Sequence, residues 1–236
     1  MNGGVIAIDG PSASGKSSTA RAVAESLGFS HLDSGSLYRG VTLVALREAA
    51  RHGARGVDPT AALSPETILR AAEDRGLMLQ SDGAGFAAYL EGEPVEDALR
   101  NAEVTSHVSA IAAVPVVREW VNSRLRALVR AGQNVVVDGR DIGTVVFPDA
   151  DLKIFLTATP QARAGRRISQ RGVAIEADRL DDEAAALAAR DHADSTRAVA
   201  PLRPAPDAVH LDTTGMGFPE QVQFIVDRAR PIFARR

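Results

Sequence analysis

The sequence predicts an α/β protein in which a parallel β-sheet is flanked by helices. Apolar runs of strand length occur at residues 5–8, 135–137 and 152–156, and segments with helical spacing of apolar residues lie between them. The chain has 236 residues, of which 45% are apolar. It is therefore long enough for one large domain, or for a domain with a smaller insertion.

The beginning of the chain predicts two consecutive strand–helix units. The run 5–8 and Asp9 lead into a glycine-rich loop and then into a helix that ends at Gly28. Residues 29–32 predict a second strand, followed by a turn at 33–35 and a helix over about 36–51. Because parallel strands end at one edge of a sheet, this turn is expected at the same edge as the glycine-rich loop.

From about residue 52 to residue 101 the alternation of strand and long helix is interrupted. Ser64 and Pro65 predict the start of a helix that runs to residue 75. Residues 77–80 and 86–90 then predict strands, with turns at 81–85 and 91–94. We interpret this region as a small inserted subdomain, and an edge decoration without function is the alternative.

The second half of the chain returns to alternating helices and strands. The predicted helices lie at 102–113, 116–130, from 159 onward, 181–191 and 219–229, and the predicted strands lie at 134–138, 152–156 and 209–211.

The loop at residues 10–17 fits the pattern G-x-x-x-x-G-K-[ST] in full. A glycine-permissive loop at a helix N-terminus offers several backbone N–H groups to phosphates. Lys16 is then expected to reach the β- and γ-phosphates, and the Ser17 hydroxyl to bind Mg²⁺. A chance match is the alternative, but strand, loop and helix follow in the required order. The predicted ATP-binding residues are Gly10, Pro11, Ser12, Ala13, Ser14, Gly15, Lys16, Ser17 and Ser18.

Two further features suit a site for a nucleoside triphosphate. Asp138 ends an apolar strand, which is typical of the carboxylate that holds the Mg²⁺ shell, mostly through water, in phosphate-loop enzymes. The segment 163–171 contains four arginines and no acid, and planar guanidinium groups can bridge phosphoryl oxygens. A solvated helix face is the alternative for this segment. Lys16 and Lys153 are the only lysines among 27 basic residues, so the chain uses arginine almost everywhere else. A lysine at position 16 therefore indicates that the loop favours a compact ammonium group over a guanidinium group.

Composition excludes several classes of function. The net charge of −3 gives no general attraction to nucleic acid or membranes. The absence of cysteine excludes disulfides, thiolate metal sites and cysteine nucleophiles. No apolar run approaches the roughly 18 residues of a membrane span, and we expect a cytoplasmic monomer. The five histidines lack metal-binding spacing, which favours surface or capping roles for them; they are His31, His52, His107, His192 and His210.

A switch GTPase is the rival among binding modules. Two D-x-x-G matches occur, at Asp82 and Asp212. However, an N-K-x-D guanine motif is absent, and the second match lies too late in the chain. A nucleic-acid motor is disfavoured because only 4% of the residues are aromatic.

Four separated blocks resemble the bacterial cytidylate kinases over nearly the whole chain. These blocks are IDGPSASGK at 8–16, LDSGSLYR at 32–39, DGRDIGTVVFPDA at 138–150 and RAVAPL at 197–202. The resemblance implies a phosphate-loop nucleoside monophosphate kinase fold with core 1–62 and 110–236. It also implies a monophosphate-binding insertion at about 63–109 and a helical lid at about 158–180. The implied reaction is transfer from ATP to CMP or dCMP, with Mg²⁺.

The resemblance also assigns roles to single residues. Cytosine contacts fall on Ser34, Ser109, Arg118 and Asp141; this agrees with the chemistry of the base, since a carboxylate can accept from N4–H₂ and arginine can donate to O2 and N3. The complete implied CMP-binding set is Ser34, Tyr38, Arg39, Ser109, Arg118, Arg140, Asp141, Arg190, Asp194 and Arg197. The implied catalytic residues are Lys16, Arg140, Arg166, Arg167 and Arg197.

The resemblance leaves two rivals and one unmatched segment. A kinase that acts on UMP, dTMP or shikimate remains open, as does a regulator that hydrolyses ATP slowly. Ser17 stands where some relatives have glycine, which restores the usual hydroxyl for Mg²⁺. Residues 52–65 match no motif.

Overall fold

A five-stranded sheet in the order β2-β6-β1-β7-β8 forms the centre of the protein in a computed structural model. The structure describes residues 3–81, 83, 85–129, 132–170 and 177–234. Strand β1 pairs with β6 and β7, and β7 pairs with β8, all in parallel. The strands of this sheet are β1 (Val5–Asp9), β2 (Ser30–Asp33), β6 (Val135–Gly139), β7 (Leu152–Thr157) and β8 (Val209–Asp212).

The other elements are helices and a second sheet. The helices are α1 (Lys16–Leu27), α2 (Ser34–Arg51), α3 (Pro59–Ala62), α4 (Pro65–Asp74), α5 (Glu96–Leu99), α6 (Ala102–Ala113), α7 (Pro115–Val129), α8 (Pro160–Gln170), α9 (Ala177–Thr196) and α10 (Phe218–Phe233). The antiparallel sheet has the order β3-β4-β5, formed by β3 (Met78–Ser81), β4 (Phe86–Leu90) and β5 (Glu93–Pro94). A single π-helical turn covers Ile142–Val146.

The chain divides into two compact units, which are described separately. Unit 1 comprises Met1–Leu32 with Val129–Arg236, and unit 2 comprises Asp33–Leu128. Unit 2 is wider than the insertion predicted at about 63–109. The two units are defined by how compactly their residues pack and not by what they bind. The predicted limits of the insertion and of the lid therefore stay predictions.

The core of unit 1 holds the phosphate loop in place. Every residue of β1 is buried, as expected for a central parallel strand covered on both faces. Ile6 and Ile8 pack with side chains of the neighbouring strands and of helices α1 and α10. Helices α1 and α10 contact each other and pack on the face of the sheet that bears Ile6 and Ile8, and this packing fixes the carboxyl end of β1 and the start of α1.

Unit 2 is built around the long helix α2, which contacts α4 and α6. Helix α4 starts as the sequence predicts, because the Ser64 side chain caps it by accepting from the Thr67 N–H at 3.2 Å. Strand β4 lies between β3 and β5. The region predicted as two strands is therefore a three-stranded sheet.

Several local predictions are wrong. Residues 33–35 form no separate turn, because the Asp33 side chain accepts from the Gly35 N–H at 2.8 Å and caps α2 directly. Glu93 and Pro94 pair with β4 instead of forming a turn. Helix α9 is longer than the predicted 181–191, and α3, α5 and the π-helical turn were not predicted.

Some predicted features lie outside the described residues. These are Asp82 of the first D-x-x-G match, Arg130 at the end of the predicted helix, and residues 171–176 of the predicted lid, including Arg171. Within the described part of the chain, no helix has the length and apolar character that a membrane crossing requires.

Candidate active site

The loop at residues 10–17 joins β1 to α1 as predicted. A Cβ atom on Gly10 would lie 2.1 Å from the Leu156 carbonyl oxygen of β7, so only glycine fits there. Gly15 precedes α1 with φ 97°, in the left-handed region that glycine adopts most easily. The two glycines thus bring the backbone close to the sheet and then turn it into the helix.

The Ser12, Ser14 and Lys16 side chains of the loop are buried, whereas Ser17 is exposed. The Lys16 Nζ donates to the Pro11 carbonyl at 2.8 Å, and the residue is 5% exposed. Within the described part of the chain, the buried Ser14 hydroxyl has no hydrogen-bond partner. Because a buried hydroxyl without a partner is unfavourable, this orphaned group fits a loop built to receive an anionic ligand.

Ser17 and Asp138 lie together as the sequence predicts for a magnesium site. The Ser17 Oγ donates to Asp138 Oδ2 at 2.6 Å, and the His31 Nε2 lies 2.8 Å from Asp138 Oδ1. Burial opposes ionisation of Asp138, but the hydrogen bonds from His31 and Ser17 and the charge of Lys16 hold its pKa below the usual value.

This pair of oxygen donors fits Mg²⁺, which takes few protein ligands and relies on water and phosphate oxygens for the rest. Among the described residues, no group of three or more His, Cys, Asp or Glu side chains could hold a metal on its own.

Asp9, at the end of β1, was not predicted to have a role. Its two carboxylate oxygens accept from the backbone N–H groups of Ile142 and Gly143, each at 2.8 Å. Burial raises the pKa of Asp9 to about 6, although the two backbone hydrogen bonds partly oppose this. Asp9 thereby fixes the start of the π-helical turn that directly follows Asp141.

The arginines of α8 do not form a solvated face. Arg163 donates to the Ser12 carbonyl at 3.0 Å and is bonded to Asp191 of α9, which in turn accepts from the Ser12 N–H at 2.8 Å. The backbone N–H and carbonyl of the loop residue Ser12 are thus both bonded to one ion pair between α8 and α9.

The other two described arginines of α8 are also bonded. Arg166 donates to the Ser14 carbonyl at 3.0 Å and to the Thr213 carbonyl at 2.6 Å. Arg167 forms a salt bridge of 2.7 Å with Glu183 of α9. Arg166 therefore contacts the phosphate loop, whereas Arg167 contacts α9.

A second network in unit 1 links the loop to Asp141. Arg140 donates to the Ser12 hydroxyl at 2.9 Å and to Asp194 at 3.0 Å. Asp194 lies 4.0 Å from Arg197, which donates to Asp141 at 3.4 Å. The structure thus brings four of the predicted CMP-binding residues into one network. The fifth in this unit, Arg190, lies half-buried on α9.

The remaining predicted CMP-binding residues lie in unit 2. Ser34 and Tyr38 are buried on α2, and Arg118 lies with its guanidinium 5.4 Å from the centre of the Tyr38 ring. Arg39 donates to the Leu99 carbonyl and to the Thr105 hydroxyl, both at 3.1 Å. Ser109 is half-buried on α6. Tyr38 and Arg118 therefore form a contact pair within this unit.

Comparison with known families accounts for nearly the whole chain. Residues 6–231 match the family described as cytidylate kinase. The chain belongs to the cytidylate kinase family. This membership confirms the resemblance drawn from the four sequence blocks, and together with the parallel sheet it confirms the predicted fold class.

Individual relatives in the cytidylate kinase family are similar over most of their length. A cytidylate kinase of Rhodococcus jostii is 46% identical over 92% of this chain and 91% of its own. One from Streptomyces griseus is 43% identical over 94% and 90%, and one from Corynebacterium efficiens is 42% identical over 94% and 92%.

Three residues in this cytidylate kinase family member were missed from the sequence: Asp9, His31 and Asp191. The prediction of a surface or capping role is wrong for His31, which is 6% exposed and bonded to Asp138. Asp9 stood next to the loop motif, and its position at the end of a buried strand was the available signal. Nothing local distinguished Asp191 from the other acids of its helix.

Proposed function

We infer that the protein is a cytidylate kinase that transfers the γ-phosphoryl group of ATP to CMP or dCMP, giving ADP and CDP or dCDP. The observation that carries this conclusion is the family match across residues 6–231. The complete phosphate loop, with Ser17 bonded to Asp138, supports it with the phosphate-binding and metal-binding groups that such an enzyme needs.

The loop residues bind the phosphates of ATP in this proposal. The backbone N–H groups at the start of α1 and the Lys16 ammonium provide positive charge, and the Ser14 hydroxyl is available as a further donor. Lys16 already points back over the loop, where its Nζ bonds the Pro11 carbonyl. It exchanges that partner for a phosphate oxygen when ATP binds.

Ser17 and Asp138 would hold Mg²⁺, with Asp138 acting mostly through water. When bound there, the ion would supply positive charge that offsets part of the negative charge of the phosphates. Because the pKa of Asp138 is held below its usual value, the carboxylate is ionised at neutral pH and needs no deprotonation before it serves the metal.

The acceptor requires cations but no general base. A CMP phosphate is already an anion at neutral pH, so direct in-line transfer needs only groups that cancel its repulsion from ATP. Arg39, Arg140 and Arg197 are the proposed phosphate-binding groups, with Arg166 and Arg167 as cations of the lid. Exclusion of water by the lid protects the transferred group from hydrolysis.

Asp141 is the proposed reader of the cytosine base. It is 3% exposed and accepts from Arg197, and its carboxylate oxygens can accept from the N4–H₂ group. Uracil presents a carbonyl at the same position, which a carboxylate would repel. Ser34, Ser109 and Arg118 complete the proposed base contacts on the basis of the family resemblance. A monomeric state and a cytoplasmic location belong to the same proposal.

A panel of acceptors tests this function. CMP, dCMP, UMP, dTMP, AMP and shikimate are offered separately with Mg²⁺ and ATP, and the release of ADP is coupled to a spectroscopic readout. We expect CMP and dCMP to give the highest kcat/KM and to yield one CDP or dCDP per ADP. Highest efficiency with UMP, dTMP or shikimate would reassign the acceptor, and ADP release without a phosphorylated product would identify a slow ATPase instead.

A further inference from the structure

His31 lies in β2 and is buried, whereas the other four histidines are half-buried or exposed. Its Nε2 atom is 2.8 Å from Asp138 Oδ1. Asp138 is 2% exposed at the carboxyl end of β6, the strand that neighbours β2 in the sheet. The imidazole therefore meets the carboxylate in the interior of unit 1 and not at the surface.

The two oxygens of Asp138 have different donors. An ionised carboxylate only accepts hydrogen bonds, so the His31 Nε2 carries hydrogen and donates to Oδ1. The Ser17 hydroxyl donates to Oδ2 at 2.6 Å. Donors on both oxygens restrict rotation of the carboxylate about its Cβ–Cγ bond, and they leave the remaining lone pairs in a defined direction.

We propose that His31 is a positioning residue that orients Asp138 and thereby strengthens binding of the Mg²⁺ form of the nucleotide. The proposal rests on the function inferred above, in which Ser17 and Asp138 serve Mg²⁺. It assigns no contact between His31 and the substrates. Partners that orient a metal-side carboxylate typically change metal affinity by about 10- to 100-fold.

Simple packing does not account for a histidine at this position. An apolar side chain of similar size would fill the same buried volume without a polar ring to satisfy. It would also remove the donor to Oδ1 and leave that buried oxygen without this bond, which is unfavourable for an ionised group. The polar contact, and not the volume, is therefore the feature that the substitution should test.

The test compares His31→Leu, His31→Gln and wild type in the full chain. The Leu variant removes the donor, and the Gln variant keeps an amide N–H near the position of Nε2. ADP binding is measured by titration calorimetry, once with Mg²⁺ and once with a chelator. We expect His31→Leu to weaken ADP binding about 10-fold or more with Mg²⁺ and to leave metal-free binding unchanged. His31→Gln should restore most of the loss.

Controls separate this role from a structural one. His52→Leu alters an exposed histidine of unit 2 and should leave both affinities unchanged. If His31→Leu does not fold, His31→Asn replaces it, because its amide is too short to reach Asp138, and the same metal-dependent loss is expected. Equal weakening with and without Mg²⁺, no weakening at all, or a Gln variant as weak as Leu would each overturn the proposal. Since binding needs no turnover, the result stands whether or not CMP proves to be the acceptor.

Discussion

Asp9 gives the protein a dependence of stability on pH that can be worked out from its surroundings. Its pKa of about 6 in the folded protein lies well above the ordinary value of 3.8. Between these two values the folded protein retains a proton that the unfolded chain has released. The free energy of unfolding therefore falls as the pH rises through this window, and the contribution is fully present only below the ordinary value.

The size of the effect follows from the distance between the two pKa values. One pH unit corresponds to about 1.4 kcal/mol, so Asp9 should lower the free energy of unfolding by about 2 to 3 kcal/mol between about pH 4 and about pH 7.5. The variant Asp9→Asn cannot titrate. It also loses an acceptor for one of the two backbone N–H groups, which costs about 1 to 3 kcal/mol at every pH.

The assay is urea unfolding of wild type and Asp9→Asn at several pH values, followed by far-ultraviolet circular dichroism. Fluorescence of the single tryptophan, Trp120, would report on unit 2, whereas Asp9 lies in unit 1. We expect wild type to lose about 2 to 3 kcal/mol relative to the variant from low to neutral pH. The exposed Asp227 of α10 supplies the control Asp227→Asn. A constant difference between wild type and Asp9→Asn across the range would refute the reasoning.

Two further predictions concern the reaction. Lys16→Ala should lower kcat by about 10²- to 10³-fold while CMP binding, measured by calorimetry, is retained; Arg21→Ala, an exposed cation on the same helix, is the control, and a near-normal rate in Lys16→Ala would remove the lysine from the mechanism. Asp141→Ala should raise the KM for CMP by about 10- to 100-fold, equivalent to about 1 to 3 kcal/mol, and relax discrimination against UMP and AMP. The exposed Asp149 provides the control Asp149→Asn, and unchanged base selectivity in Asp141→Ala would exclude the proposed role.

The phosphate loop and the strands around it could be predicted because their causes are local. Gly10 allows the backbone to approach β7 closely, and Gly15 adopts the left-handed conformation before α1. The spacing of the two glycines in the sequence indicates both requirements. The carboxylate of Asp138 follows an apolar strand, which is also a local pattern. The Ser17–Asp138 contact then follows from the parallel sheet that the alternation of elements predicts.

The missed features arise from contacts between distant parts of the chain or from elements too short for periodicity. His31 and Asp138 are 107 residues apart, and Asp9 is 133 residues from Ile142. Helices α3 and α5 have four residues each, barely one turn, so no spacing of apolar residues can indicate them.

Asp33 shows a different limit of sequence reasoning. Its bond to the Gly35 N–H is the same interaction that would close a turn or cap a helix. The residues around it are therefore compatible both with a turn and with a helix cap. The predicted helix begins directly at Ser34 and not after a turn, which the local sequence alone does not specify.

The two lysines make the protein unusually easy to follow with amine-directed reagents. Lys16 is 5% exposed and bonded to Pro11, and Lys153 is 8% exposed and forms a salt bridge of 2.9 Å with Asp207. Acylation of either side chain thus requires local opening or release of its partner. Peptide mapping after brief labelling would report opening of the phosphate loop from Lys16 and local opening of β7 from Lys153. The labelling rate of each lysine would serve as an internal reference for the other.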